Sequence, residues 1–548
     1  MAFKFYSAVA VIVLVFQAPL AAANRLFDPV SSVDSLQAEM LNWQHRDPQL
    51  DQIAGTSVER AWKELLPLKK AAQTVVVAII DSGVDIDHED LEGTIWVNED
   101  EIPGNGIDDD NNGYIDDIHG WNFLGTRDGK NIEFENYEYA RIVRKYKDEF
   151  GHVANEAELP EDLRDDYRLY RRSLKKFTSE WERLEAERMS LQIFEERLAY
   201  AESKIAESLG KKDYTLSELM KLNSTDEEVN NARFFLLSIY QRGFSKDALA
   251  ELKEYVDANL NKRLNLSYNP RALINDDPED ITDRNYGNND VKGPNPSHGT
   301  FVAGIIAARR DNNIGIDGIA DNVKLMILRA VPDGDEYDKD VALAIRYAVD
   351  NGANIINMSF GKNFSPQKEF VDEAIRYAVE NNVLIVHAAG NDAVNIDKHI
   401  HYPTPRLGSK EKAASVITVG AATMYLDRRL PGDFSNYGRE HVDLFAPGVD
   451  MISLYPGNKY NLGSGTSFSS PVVAGIAALV WSRHPELTAL QLKELLLETA
   501  QKYSNQKVYL PAESEKRKTV RFKKLSNTGG LINAWEALKK AEFIASAE

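Results

Sequence analysis

Runs of β-branched and aliphatic residues alternate along much of the chain with segments whose apolar residues recur every three or four positions. The run at 74–80 is apolar on both faces and ends in Asp81-Ser82-Gly83, which reads as a buried strand closed by a turn. Further strands are expected at 323–331, 354–358, 383–387 and 416–421, with helices at 339–351 and 366–381 between them. Strand and helix in repetition predict an α/β fold built on a doubly wound, mostly parallel sheet. Another helix is expected at 487–499, followed by a charged segment able to form a hairpin.

The pattern changes over 131–275, where the sequence is long, charged and poor in glycine. Tyr167, Tyr170, Leu174, Phe177, Trp181, Leu184, Leu191, Phe194, Leu198 and Ile205 keep alternating spacings of three and four, interrupted at Arg188. This is a heptad stripe, and it predicts an inserted α-helical, coiled-coil-like subdomain. A helix over 161–209 would be about 70 Å long. Helices at 225–241 and 245–261, with Thr215 and Ser224 as start signals, could cover the stripe in an antiparallel hairpin. The stripe could instead join two chains as a homodimer.

The chain opens with Lys4, an apolar run at 5–16 and Ala21-Ala22-Ala23, the layout of a secretory signal peptide spanning 1–23. A membrane anchor is the competing reading, but the run is shorter than the ~20 residues a span needs. Export to the periplasm or the extracellular space is expected, with no stable membrane span after cleavage. Residues 24–70 form a polar arm with a short helix near 57–66, and Trp43 and Trp62 are its expected anchors.

With 548 residues and 43% hydrophobic content the chain can bury a full-sized core and at least one further module. A net charge of −21 argues against nucleic acid as a partner. The absence of cysteine excludes a disulfide framework and a cysteine for lipid attachment.

Three stretches carry candidate chemistry. Gly465-Thr466-Ser467-Phe468-Ser469-Ser470-Pro471 runs into an apolar helix, with Pro471 expected in its first turn, so Ser467 lies near a helix N-terminus that favours developing negative charge. Alone, that pattern equally describes a Gly/Ser helix cap. Ser297-His298-Gly299-Thr300 starts a second helix of small residues, and Asp81 sits at the carboxyl end of a central strand, where functional groups gather in parallel sheets.

In this order, Asp81 in Asp-Ser-Gly-Val, His298 in His-Gly-Thr and Ser467 in Gly-Thr-Ser-Phe-Ser-Ser-Pro resemble the motifs of the subtilases, the subtilisin-like serine peptidases. A fourth match is Asn391 in Ala-Ala-Gly-Asn. The resemblance implies a catalytic domain in two parts, 71–130 and 276–548. It also implies hydrolysis of polypeptides through an acyl-enzyme, with Asp81, His298 and Ser467 as triad and Asn391 at the oxyanion. Ser359-Phe360-Gly361 matches the segment that pairs with extended substrate, and the residues after Gly529 match a closing helix. Phe301 stands where many relatives carry a second histidine. A catalytically silent binding scaffold and a peptide acyl-transferase are the alternatives.

The loop at 104–120 is acidic. Numbering from Asp108 puts oxygen ligands Asp108, Asp110, Asn112 and Asp116 at positions one, three, five and nine of an EF-hand-like loop, with glycine at six. His119 replaces the usual bidentate glutamate, leaving Asp117 or a distant carboxylate to substitute. A structural calcium ion is expected there, and a turn of Asx caps is the alternative.

Overall fold

The strand expected at 74–80 is β1, Val75–Asp81, and it pairs in parallel with β3, Val323–Arg329, on one side and with β4, Ile355–Met358, on the other. The protein is described by a computed structural model covering residues 30–33, 40–408, 411–512 and 517–547. The expected signal peptide at 1–23 lies outside the described residues. β2 (Gly120–Asn122) lies outside β3, and β5 (Leu384–Ala388), β6 (Val416–Ala422) and β7 (Leu444–Pro447) continue the sheet beyond β4, all in parallel. Gly530–Leu531 and the antiparallel edge pair Gln501–Lys502 complete nine strands.

Alternation along the strands divides the core between two faces. Val75, Val77 and Ile79 pack with Leu325, Leu384 and Val386 against two largely buried helices, α7 (Ser297–Ala307) and α10 (Thr466–Trp481), which are apolar beyond their opening residues. Ala78 and Ile80 point the other way, with Met326 and Ile356, against α8 (Asp338–Asp350) and α9 (Lys368–Glu380). The sheet is therefore doubly wound. α11 (Ala489–Glu498) and the closing helix α12 (Ala534–Ala547) follow, and between them Lys507–Tyr509 and Thr519–Arg521 form the expected hairpin.

The arm packs on this unit through α1 (Val58–Glu64) and its two tryptophans. Trp43 is fully buried and donates from Nε1 to Asp450 O at 3.0 Å, while Trp62 donates to Ile319 O at 3.3 Å.

The inserted helices form a second compact unit, 139–269, inside the expected 131–275 span. It contains α2, which begins at Glu138 and ends at Phe150, and the 46-residue α3, Arg164–Leu209, about 70 Å long. α4 (Leu216–Lys221) starts at a Thr215 capping box, as its sequence signal indicates. The N-cap of α5 (Glu227–Tyr240) is Asp226 instead of Ser224, whose hydroxyl accepts from Asp226 N one step earlier. α5 and α6 (Lys246–Ala258) lie against α3. Leu184, Leu191, Phe194, Leu198 and Ile205 are buried within the single chain, so most of the stripe is used internally and not left for a homodimer. Trp181 is the exception, at 43% exposure.

Among the described residues, no helix is long and apolar enough to cross a membrane.

Candidate active site

Asp81 is the last residue of β1, and its backbone is in register with Arg329 at the end of β3. Arg329 holds the turn that follows by donating from Nε to Ser82 O at 3.1 Å. α7 then reaches Asp81 because Gly299 has no side chain: a Cβ there would lie 2.1 Å from Gly83 O and 3.3 Å from the Asp81 Cβ. Close approach brings His298, in the first turn of α7, to Asp81, and the His298 Nδ1 to Asp81 Oδ1 distance is 2.7 Å.

That contact fixes the imidazole with its proton on Nδ1 and a lone pair on Nε2. Burial alone would lower the affinity of the ring for a second proton, but the Asp81 charge and hydrogen bond outweigh it, and the His298 pKa is raised above its ordinary value. Asp81 is 1% exposed, whereas the His298 side chain keeps 23% exposure toward solvent.

Ser467 is the second residue of α10, where a backbone N–H has no acceptor inside the helix. The helix starts at Thr466, so Pro471 is its sixth residue and lies beyond the expected first turn. Proline cannot donate to the carbonyl four residues back, which is that of Ser467. Ser359 supplies the missing donor from its hydroxyl at 2.7 Å and also contacts Ser470 Oγ at 2.8 Å. In return the Ser467 hydroxyl donates to Ser359 O at 2.9 Å. Phe468 packs against Phe301 with ring centroids 4.1 Å apart and planes tilted by 31°, and lies 5.7 Å from the His298 ring, tying the starts of α7 and α10 together. Phe301 thus serves as packing where many relatives have histidine.

Asn391 follows β5 after a Gly390 that takes a φ of +96°. Its Oδ1 accepts from Thr466 N at 2.9 Å and Thr466 Oγ1 at 2.8 Å, which leaves its Nδ2 as the donating end. Thr466 Oγ1 in turn accepts from Gly390 N at 3.0 Å. Ser359, Phe360 and Gly361 leave the carboxyl end of β4 beside Ser467, and His387 Nε2 donates to Phe360 O at 2.9 Å. The four catalytic candidates and the expected substrate segment therefore meet at one edge of the sheet. Sequence reasoning missed Thr466, Asn357, which donates to Ser359 Oγ at 2.9 Å, and Arg329. Only Thr466 carried a signal, as part of the serine motif.

The acidic loop is arranged differently from the EF-hand pattern. Asp116 accepts from the backbone N–H groups of Gly104, Asn105 and Gly106, and Asp108 accepts from those of Asn112 and Gly113. These two expected ligands are thereby turned to capping roles. Asp110 meets Asp117 and Glu101, and carboxylate oxygens of the three lie within 4.8 Å of one another, although Glu101 also accepts from the backbone N–H groups of Asp109, Asp110 and Asp116. Asn112 stays beside them, donating from Nδ2 to Asp110 Oδ2 at 2.9 Å and Asp117 Oδ2 at 3.1 Å. Burial raises the Asp117 carboxyl above its ordinary range despite hydrogen bonds from Tyr347, Asn112 and Asn98.

An Asp-His pair at the carboxyl end of a parallel sheet, with a serine at the start of a neighbouring helix, is a grouping of the kind that nucleophilic serine chemistry uses. The model of the subtilase family matches residues 72–518, and the chain belongs to that family, the subtilisin-like serine peptidases. It is 38% identical over 231 residues to a thermophilic serine proteinase from Bacillus sp. (strain AK1), covering 42% of this chain and 52% of that protein. It is also 38% identical over 207 residues to subtilisin DY from Bacillus licheniformis, covering 37% and 70%. The chain thus spans about half the length of the first relative. A solved chain described under subtilase cytotoxin SubAB assembly aligns with 28% identity and a TM-score of 0.38, over 45% of this chain and 76% of that one.

Proposed function

We propose that the protein is an exported serine endopeptidase that cleaves polypeptides through an acyl-enzyme. The observation that carries the reading is the Asp81–His298 contact at 2.7 Å beside the start of the Ser467 helix. For attack, the Ser467 hydroxyl exchanges its acceptor, Ser359 O, for His298 Nε2, which takes the proton as the oxygen bonds to the substrate carbonyl carbon. Asp81 stabilises the resulting imidazolium. The carbonyl oxygen becomes an oxyanion, served by Asn391 Nδ2 and the Ser467 N–H. His298 then hands its proton to the leaving amine, and water, deprotonated by the same ring, releases the acyl group. Peptide hydrolysis by purified protein and its loss in Ser467→Ala test this sequence of steps.

Export rests on the 1–23 pattern and is tested by sequencing the N-terminus of protein recovered outside the cytoplasm. For calcium, three carboxylates gathered at the acidic loop are the oxygen set that a hard cation takes. Glu101, Asp110 and Asp117 would hold it, and its role there would be to stabilise the loop that leads into β2.

A further inference from the structure

The catalytic reading leaves the substrate side chains unspecified, and His401 bears on them. We propose that His401 closes the space for the side chain of the residue that supplies the scissile carbonyl, so that the site selects glycine, alanine or serine there. This rests on the assignment of Ser467 as nucleophile and Asn391 as oxyanion donor.

With the carbonyl carbon on Ser467 and its oxygen toward Asn391, the acyl part of the substrate runs along Ser359-Phe360-Gly361. The side chain next to the reacting carbonyl then falls between that segment and Ala389-Gly390. Both walls carry glycine, and one imidazole faces both of them. His401 Nε2 lies 2.3 Å from where a Cβ on Gly361 would sit and 2.8 Å from where one on Gly390 would sit.

The ring is held in place from three sides. Tyr402, the next residue, exchanges two backbone hydrogen bonds with Lys362, at 2.9 and 2.8 Å. The His401 ring stacks on His387 with centroids 6.1 Å apart and planes 27° from parallel, and His387 is itself fixed by its bond to Phe360 O. Behind the ring, among His387, Ala389, Ile396, Thr418 and His441, the cavity has a volume of only about 20 Å³. That is room for about one water molecule. Little space therefore lies behind the imidazole for it to withdraw into when a larger side chain arrives. Burial lowers the His401 pKa, with Asp392 opposing, and so gives an acidic side chain no fixed cation to pair with.

The test is kcat/KM of the full-length protein on peptides that differ only at this residue. Alanine, glycine and serine are expected to exceed phenylalanine, tyrosine and leucine by at least about 100-fold. His401→Gly is expected to raise the phenylalanine-to-alanine ratio by about 10-fold or more, and His401→Ala by less. Labelling of Ser467 by a fluorophosphonate shows that each variant is folded, and the wild-type profile decides the matter without any variant. A wild-type preference for large or acidic residues, or an unchanged ratio in labelled His401→Gly, overturns the proposal. Absence of both hydrolysis and labelling in the wild type would instead overturn the peptidase reading, and this inference with it.

Discussion

Ser359 and Ser467 hold each other by two hydrogen bonds of opposite sense, Ser467 Oγ to Ser359 O at 2.9 Å and Ser359 Oγ to Ser467 O at 2.7 Å. The second bond fills the place that Pro471 leaves vacant in the helix. Ser359→Ala therefore leaves a buried carbonyl and the Asn357 amide without that partner. Urea denaturation is expected to show a stability loss of about 1–3 kcal/mol. An unchanged midpoint would mean that the Ser467 carbonyl needs no donor.

Asp81 is expected to set the pH dependence of hydrolysis. The general base must be neutral, so activity rises with pH as His298 loses its proton, and the raised pKa puts this limb above the ordinary histidine range. Asp81→Asn removes the charge that outweighs burial. It is expected to shift the limb of kcat/KM to lower pH and to cut the rate by roughly 10⁴-fold. A limb that stays in place would detach Asp81 from His298.

Asn391→Ala is expected to slow kcat by about 10²–10³-fold while Ser467 still reacts with a fluorophosphonate. Thr466→Val removes the hydroxyl that orients the Asn391 amide but leaves the amide itself. A fall in kcat with little change in KM is expected for it, smaller than for Asn391→Ala. Equal losses in kcat and affinity would point to collapse of the loop.

Most of this site could be read from the chain because its parts are local motifs at the ends of apolar runs. The strand ending at Asp81, the small-residue helix carrying His298 and the serine loop each announce themselves within a few residues. What the sequence hid depends on contacts between distant segments. Ser359 compensates for Pro471 across 108 positions from Ser467, and no local pattern encodes that pairing. The acidic loop shows the same limit: spacing marked Asp108 and Asp116 as ligands, but both cap backbone amides, and Glu101 enters from outside the motif. The heptad stripe announced a partner without saying which, and α5 and α6 supply it.

Calcium is expected to raise the melting temperature, because a ligand held only by the native state adds about 2.7 kcal/mol at a hundredfold excess over its Kd. Asp117→Asn and Glu101→Gln are expected to abolish the response to calcium and chelator. Asp108→Asn should leave it largely in place, since Asp108 lies outside the cluster of Glu101, Asp110 and Asp117. A response lost only with Asp108 would restore the EF-hand arrangement.

The helical unit buries its own stripe, so the catalytic unit is expected to fold without it. A short flexible linker in place of 139–269 keeps Glu135 with Arg271 and Glu138 with Lys362, two buried ion pairs in which loss of one partner would leave an uncompensated charge. If the helices restrict or recruit substrate, the ratio of small-peptide to folded-protein cleavage changes while the particle mass stays that of a monomer. An unchanged ratio with loss of a dimer would assign them to assembly.

Ser467 is expected to be the nucleophile, made reactive by His298 and Asp81. Mass spectrometry of the protein after treatment with a fluorophosphonate measures it directly. The adduct is expected on Ser467, with Ser467→Ala losing both label and peptide hydrolysis. Label on another residue, or hydrolysis retained by Ser467→Ala, would show that Ser467 is not the nucleophile.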